Sequence, residues 1–173
     1  MTAQAADTTS NYDLAFDFNR FLKRRWTLGA QISAEANEEL GLDLRLSLGL
    51  LGSRILIETN KTILDAVLGI SGTREDYATS DSTSYNLEIP IGLYYTRFTF
   101  HDPKSSIEID GQVYPSLTTH GRYRGNANIS LNYEIAHNLY LVLGYYYQYD
   151  SLPPEGSSKD DSRMNTSISW TFG

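Results

Sequence analysis

The chain contains no cysteine, which excludes disulfide bridges, thiolate metal sites and cysteine nucleophiles. It also lacks any apolar run of the roughly 18–20 residues that a membrane-spanning helix requires. The mean hydropathy is -0.36. The missing apolar run excludes a helical membrane protein. It leaves open a protein that crosses a bilayer with alternating strands, because alternation lowers the average hydropathy.

Positive charge is also scarce. The chain has 14 Lys and Arg against 21 Asp and Glu, which gives a net charge of -7. Because phosphate binding requires a basic surface, this balance argues against nucleic acid as a partner.

The N-terminus lacks the charged and apolar regions of a signal peptide. We therefore expect residues 1–10 to be disordered or artificially added, ahead of one domain at residues 11–173. The chain would then be a mature form, an engineered version or a fragment.

Strict alternation of apolar and polar residues is what the sequence has in abundance. Near the C-terminus, one parity holds Leu139, Leu141, Leu143, Tyr145, Tyr147 and Tyr149, and after a polar stretch Met164, Thr166, Ile168, Trp170 and Phe172. Because a strand turns successive side chains to opposite faces, each segment is a ribbon with one apolar face. The 13 tyrosines suit a bilayer interface as well as a strand.

Nine such segments can be traced along the chain. They cover residues 11–22, 26–36, 41–58, 62–74, 85–100, 106–117, 122–135, 139–149 and 164–172. No segment has helical spacing of its apolar residues. The alternation shifts near Gly52, which predicts a bulge or a glycine kink there. Pro90 predicts a local bend, because proline cannot donate to a ladder.

The connections alternate between two kinds. Tight turns at residues 23–25, 59–61, 102–104 and 136–138 alternate with mostly longer, acidic loops at residues 37–39, 75–84, 118–121 and 151–162. Short turns at one end and longer loops at the other are typical of outer-membrane barrels, in which the short turns are periplasmic. The pattern predicts an all-β, antiparallel, up-and-down transmembrane β-barrel.

The strand count raises a question of parity. Single-chain bacterial barrels have even strand numbers with both termini periplasmic, so nine segments leave the first strand starting outside. We expect truncation of a barrel of 10–12 strands, with a wrongly divided segment or a closed barrel of another count as alternatives.

Three stretches carry a resemblance to a known family: Asn37 to Arg45, Gly121 to Arg124, and Tyr149 to Pro153 with Asp160, Asp161 and Trp170 to Phe172. Together they resemble the YdiY-like salt-induced outer membrane protein family, a family of unknown function. The resemblance implies an outer-membrane barrel of a Gram-negative bacterium. It implies outer-membrane lipids and the barrel-assembly machinery as partners, with Ile168, Trp170 and Phe172 as the C-terminal insertion signal. The chain ends one residue later, at Gly173.

The polar parity predicts the residues that line the interior. They are Asp13, Asp17, Glu35, Asp43, Arg45, Asp65, Glu88 and Glu134, with Arg122 and Arg124 joining them if that strand keeps its phase. Because an unpaired buried charge is costly, we interpret this set as a lumenal salt-bridge network. An acid-lined pore that favours cations is the alternative.

The acids Glu75, Asp76, Asp81, Asp160 and Asp161 fall in the predicted loops. We interpret these loops as solvated, with divalent-cation binding as the alternative. The three histidines, His101, His120 and His137, are scattered over turns and loops, which argues against a metal site or a catalytic centre.

The sequence therefore predicts an outer-membrane barrel of unknown molecular activity, with a structural or salt-related envelope role. We expect no enzymatic activity, cofactor or small-molecule ligand. A small cation-selective channel is one alternative. A soluble β-barrel that binds a small apolar ligand is another, and it would turn the leucine face inward.

Overall fold

A computed structural model describes residues 10–78, 80–101, 103–154 and 157–170, with the side chains of residues 80–82 left out. The expectations for residues 1–9 and for Phe172 lie outside the described residues. The described residues form strands, turns and irregular segments. Among them, no helix is long and apolar enough to cross a membrane.

Ten antiparallel strands form a single sheet. They are β1 (Asn11–Phe21), β2 (Trp26–Asn37), β3 (Leu42–Glu58), β4 (Thr62–Tyr77), β5 (Ser80–Glu88), β6 (Ile91–Thr99), β7 (Ser105–Pro115), β8 (Tyr123–Ala136), β9 (Leu139–Asp150) and β10 (Asp160–Trp170). Each strand pairs with the next along the chain, except that β4 pairs with both β5 and β6. The prediction of an all-β, antiparallel, up-and-down fold is confirmed.

The tenth strand arises because the fifth predicted segment is divided at Pro90. Ser71 lies opposite Glu88 and Leu68 lies opposite Ile91, so pairing with β4 resumes in the same register on both sides of the division. The Pro90 carbonyl accepts a hydrogen bond from the Gly69 amide at 2.9 Å. At Pro90, where a local bend is predicted, the structure has a break between β5 and β6, and the ten strands make nine passes across the sheet.

The connections differ between the two ends of the strands. We call the end with residues 22–25, 59–61, 100–104 and 137–138 the turn end, and the end with residues 38–41, 78–79, 116–122 and 151–159 the loop end. The predicted loop at residues 75–84 is wrong. Strand β4 continues to Tyr77 and β5 begins at Ser80. Side-chain pairing supports this hairpin, because the Thr83 hydroxyl donates to Asp76 at 2.7 Å.

The two faces of the sheet have opposite polarity. On β3, Leu46, Leu48 and Leu50 are exposed, whereas Arg45 is buried. Among the described residues, the buried large hydrophobic side chains are Leu40 and Leu42 alone, whereas thirteen polar or charged residues are buried. The sheet therefore has a polar inner face and an apolar outer face, the reverse of a protein folded around an apolar core.

Two irregularities on β3 differ from the sequence-based expectation. Gly52 pairs regularly with Leu28 and Leu68, so the bulge predicted at Gly52 is wrong, and the register instead shifts between Ile55 and Ile57. A second shift falls between Leu42 and Leu44, which makes Asp43 an extra residue in the ladder.

The sheet curls until its two ends approach each other across the inner face. The Asn37 amide on β2 donates to Gln148 on β9 and to Asp161 on β10, both at 3.0 Å. The strand order nevertheless runs from β1 to β10, and the described residues show no ladder between these two edge strands. Both edge strands are exposed along most of their length.

Candidate functional site: a buried ionic cluster at the loop end

A group of seven charged side chains fills the interior at the loop end. We call it the ionic cluster, and it consists of Glu35, Arg45, Glu75, Glu88, Arg122, Arg124 and Asp150. Its members come from β2, β3, β4, β5, β8 and β9 and from the connection before β8. Glu35, Arg45 and Glu75 lie opposite one another on adjacent strands, and the curl of the sheet brings the members from β8, β9 and the connection before β8 to them.

Glu75 is the centre of the cluster. Its side chain is fully buried, and it accepts a hydrogen bond from Arg45 Nε at 2.7 Å and from Arg122 Nη1 at 2.6 Å. The Tyr77 hydroxyl and the Asn86 amide also donate to it, at 2.6 and 3.1 Å. A carboxylate with this many charge-assisted donors keeps its negative charge in spite of its burial.

The three arginines extend the network in different directions. Arg45 Nη1 donates to Glu35 at 2.8 Å. Arg122 makes a two-point contact with Asp150, through Nε at 3.2 Å and Nη2 at 2.6 Å. Such paired contacts with a carboxylate fix the planar guanidinium group in one orientation.

Arg124 forms the third arm of the cluster. It holds Glu88 with Nε at 2.9 Å and Nη2 at 2.6 Å, and its guanidinium lies 5.0 Å from the centre of the Tyr114 ring. The fully buried Glu88 therefore has a two-point ion-pair partner.

Arg122 lies outside the strands, in the connection between β7 and β8. Burial by itself would lower its pKa, but hydrogen bonds and charge from Asp150 and Glu75 outweigh that effect and raise the pKa. Arg122 therefore remains a cation throughout the pH range in which proteins fold.

The β2–β3 connection turns inward at the loop end, next to the ionic cluster. Asn37 accepts hydrogen bonds from the amides of Glu39 and Leu40, which turns the chain inward, and Leu40 is buried. The Ser158 amide donates to the Glu39 carbonyl at 3.2 Å, so the β9–β10 connection joins the β2–β3 connection. The loop end of the interior is thus filled by side chains.

A polar cavity of about 230 Å³ lies directly beneath the ionic cluster. Ser71 and Thr73 line it, and their buried hydroxyl groups have no protein hydrogen-bond partner. A polar cavity of this size with unpaired hydroxyls is suited to hold ordered water molecules.

The structure separates the residues predicted to line the interior. Glu35, Arg45 and Glu88 belong to the ionic cluster. Asp13 lines the cavity beneath it, and Asp17 and Asp65 line a second cavity of about 320 Å³ nearer the turn end. The predicted set therefore extends along the inner face instead of forming one site.

Two members of the predicted set lie elsewhere. Asp43 is exposed, because the bulge beside Leu42 turns it away from Arg45. Glu134 lies at the turn end, where it accepts hydrogen bonds from the amides of Lys104 at 3.1 Å and Asn138 at 3.0 Å. Glu134 therefore links the β6–β7 and β8–β9 connections through hydrogen bonds.

The interpretation of the loop acids as solvated is wrong for Glu75 and Asp161, which are both buried. The alternation predicted for β4 continues inward through Ser71, Thr73 and Glu75, so a longer strand would have revealed Glu75. The sequence also gave no role to Asp150, which continues the inward parity of β9.

The remaining candidates occupy separate positions. His101, His120 and His137 lie in three different connections. Ile168 and Trp170 both lie on the outer face of β10, where both are exposed.

The fold and the ionic cluster define an antiparallel, up-and-down β-sheet protein with a charged interior and an apolar exterior. The chain belongs to the family described as protein of unknown function, DUF481, whose model matches residues 2–172. Searches of curated proteins and of solved structures found no significant match.

Proposed function

We propose that this protein is a transmembrane β-barrel protein of the outer membrane of a Gram-negative bacterium. The observation that carries the proposal is the reversed polarity of the sheet, with Glu75 and Glu88 fully buried and Leu48 and Leu50 about 60% exposed. Exposure of this apolar outer face to water is unfavourable, whereas lipid chains solvate it.

Exposed aromatic residues at both ends of the strands support the same conclusion. Tyr12, Tyr85 and Tyr123 lie towards the loop end, and Trp26, Tyr133 and Trp170 lie towards the turn end. On β8, Tyr123 and Tyr133 are separated by a strand length of about 33 Å. A tilt of about 40° converts this length into about 25 Å, the height of the apolar band of an outer-membrane barrel.

The test of this proposal is the medium in which the protein folds. Refolding with and without lipid vesicles, followed by flotation of the vesicles, should place the folded protein in the lipid fraction. A folded monomer in water without detergent would overturn the proposal. Fractionation of expressing Gram-negative cells then tests the outer membrane as its location.

The more specific role that we propose is structural, in an envelope response to salt. It rests on the resemblance to the YdiY-like family and on the fully paired ionic cluster, and it includes no catalytic step. Outer-membrane lipids and the barrel-assembly machinery are the proposed partners. Protein abundance should rise after transfer of the source bacterium to high salt, and unchanged abundance would contradict this role.

A cation-selective channel is a second candidate, supported by the charge of the inner face nearer the turn end. There Asp17 and Asp110 accept hydrogen bonds from Gln31 and Asn128, and in the described part of the chain they form no ion pair. Planar-bilayer recordings should show cation currents whose selectivity falls when both residues are changed to Asn. Absence of current, or unchanged selectivity, would exclude this candidate.

An apolar-ligand carrier is not supported by the placement of the leucines. Such a protein would have Leu46, Leu48 and Leu50 facing the interior, whereas all three are exposed on the outer face. The cavity beneath the ionic cluster is lined mainly by polar side chains.

A further inference from the structure

Basic residues are concentrated at the turn end of the sheet. Eight of the 14 Lys and Arg residues lie there: Arg20, Lys23, Arg24, Arg25, Arg54, Lys61, Arg97 and Lys104. Five of these surround one exposed tryptophan, Trp26. We call Arg20, Lys23, Arg24, Arg25 and Arg54 the basic patch.

The strand register places two members of the basic patch, Arg54 and Arg20, on the outer face. Arg54 lies directly opposite Trp26, and Arg20 lies opposite Leu28, on the side of the sheet that carries the apolar band. The Arg54 guanidinium is 5.5 Å from the centre of the Trp26 ring. An arginine at this position extends along the apolar surface and directs its charge towards the membrane boundary.

The charge of the basic patch is largely uncompensated. Arg25 Nε lies 3.2 Å from Glu58, and both side chains are about half exposed. Among the described residues, Glu58 is the one carboxylate in an ion pair with the five cations, which leaves a net positive charge. This charge favours anionic over zwitterionic ligands.

The β1–β2 turn adopts an unfavourable backbone conformation to present two of these arginines. Arg24 and Arg25 have φ values of 60° and 65°, in the left-handed region. Turn positions with positive φ favour Asn and Gly, because larger side chains are strained there. Arginine at both positions points to a role in binding.

A recess for an apolar chain lies beside the basic patch. Gly52 faces outward between Leu28 and Leu68, and a Cβ atom added to it would meet only the Leu68 carbonyl oxygen, at 3.7 Å. Charged groups at the membrane boundary, with an apolar recess on the bilayer side, match the two ends of a phospholipid.

We propose that the basic patch and the Gly52 recess form a binding site for an anionic phospholipid. The phosphate would contact Arg54 and Arg20, whose guanidinium groups suit bidentate phosphate binding, and an acyl chain would lie over Gly52. This inference rests on the proposed membrane location. Each arginine near an anionic headgroup contributes about a fivefold preference for it.

Trp26 provides a direct test, because the chain has only one other tryptophan, Trp170. The Trp170→Phe variant is reconstituted in vesicles that contain phosphatidylglycerol or phosphatidylcholine with brominated acyl chains, at equal mole fractions. Bromine quenches tryptophan fluorescence on contact. We expect brominated phosphatidylglycerol to quench Trp26 more strongly, and Arg20→Gln with Arg54→Gln to remove this difference.

Two controls separate this site from general membrane contact. In the Trp26→Phe variant, Trp170 on the opposite edge strand should be quenched equally by both lipids. Replacing Arg24 and Arg25 by Asn and Gly should reduce the phosphatidylglycerol preference. The free energy of unfolding should stay the same or rise, because the turn conformation suits the new residues.

The possible failures are distinguishable. Equal quenching of Trp26 by the two lipids would overturn the inference and leave the membrane proposal intact. Absence of quenching by either lipid would overturn both. If inorganic phosphate added to lipid-free protein in neutral detergent changed Trp26 fluorescence as much as phosphatidylglycerol does, the site would bind free phosphate, which would contradict a lipid site.

Discussion

The buried side chains of this protein are the ones that a water-soluble domain would expose. Glu75, Glu88 and Arg45 are buried with their charges paired, and the leucines next to them on the same strands are exposed. A buried ion pair is tolerated only while every partner is present, because removal of one leaves the other charged and unsolvated. The ionic cluster should therefore be sensitive to single substitutions.

The residue-scale prediction concerns Glu75. Glu75→Gln removes the negative charge shared by Arg45 and Arg122, and it should lower the free energy of unfolding by about 3–5 kcal/mol. The measurement is a guanidinium titration followed by tryptophan fluorescence, in the medium in which the wild type folds. Glu58→Gln is the matched control. It breaks a half-exposed pair with Arg25 and should change stability by about 1 kcal/mol or less. Equal effects of the two changes would contradict a central role for Glu75.

Individual strands show where the sheet requires small side chains. On β4, Gly69 faces inward, and a Cβ atom added there would lie 2.4 Å from the Leu50 carbonyl oxygen and 2.6 Å from a Leu51 methyl group. Gly72 lies three residues further along the same strand, and a Cβ atom there would meet nothing within 4 Å. The two glycines therefore serve different purposes.

The element-scale prediction compares these two positions. Gly69→Ala should lower the free energy of unfolding by about 1–3 kcal/mol, because backbone and side chain must move apart. Gly72→Ala should leave stability unchanged or raise it by about 0.5–1 kcal/mol, because alanine loses less conformational freedom on folding. Chemical denaturation of both variants tests the register of β3 against β4. A tolerated Gly69→Ala would show that this register is wrong.

The whole molecule is a curled sheet whose two edge strands, β1 and β10, run in the same direction. Each begins at the loop end and finishes at the turn end, because the sheet has nine passes, an odd number, so the first and the last run in the same direction. Antiparallel pairing between them is therefore excluded. A strand of the opposite direction could pair with both in antiparallel fashion.

The prediction at this scale concerns the environment of the outer face. Leu48 lies in the middle of the apolar band, and Leu48→Lys should oppose folding into lipid vesicles by about 2–4 kcal/mol. Leu152→Lys changes an equally apolar, half-exposed residue of the β9–β10 connection and should cost about 0.5 kcal/mol or less. Folding yields in vesicles of one composition provide the measurement. If Leu48→Lys were as well tolerated as Leu152→Lys, the outer face would not contact lipid.

Local patterns predicted the strands well, because the alternation of side chains depends only on the backbone of the strand itself. The bounds of β1, β2 and β3 agree with the predicted segments to within one residue. The end of β4 was missed, since the alternation there continues through polar residues on both faces. The predictions of an inward Asp43 and of a bulge at Gly52 are wrong, because the position of a bulge depends on the pairing with the partner strand.

The sequence by itself determined that the chain forms strands with one apolar face, since periodicity is a property of neighbouring residues. Only the tertiary structure decided which charges meet. The register of β3 against β4 places Arg45 opposite Glu75, and the curl of the sheet brings Arg122 within hydrogen-bond distance of Glu75. Burial then makes their pairing necessary, because a charge removed from water requires a partner of opposite sign.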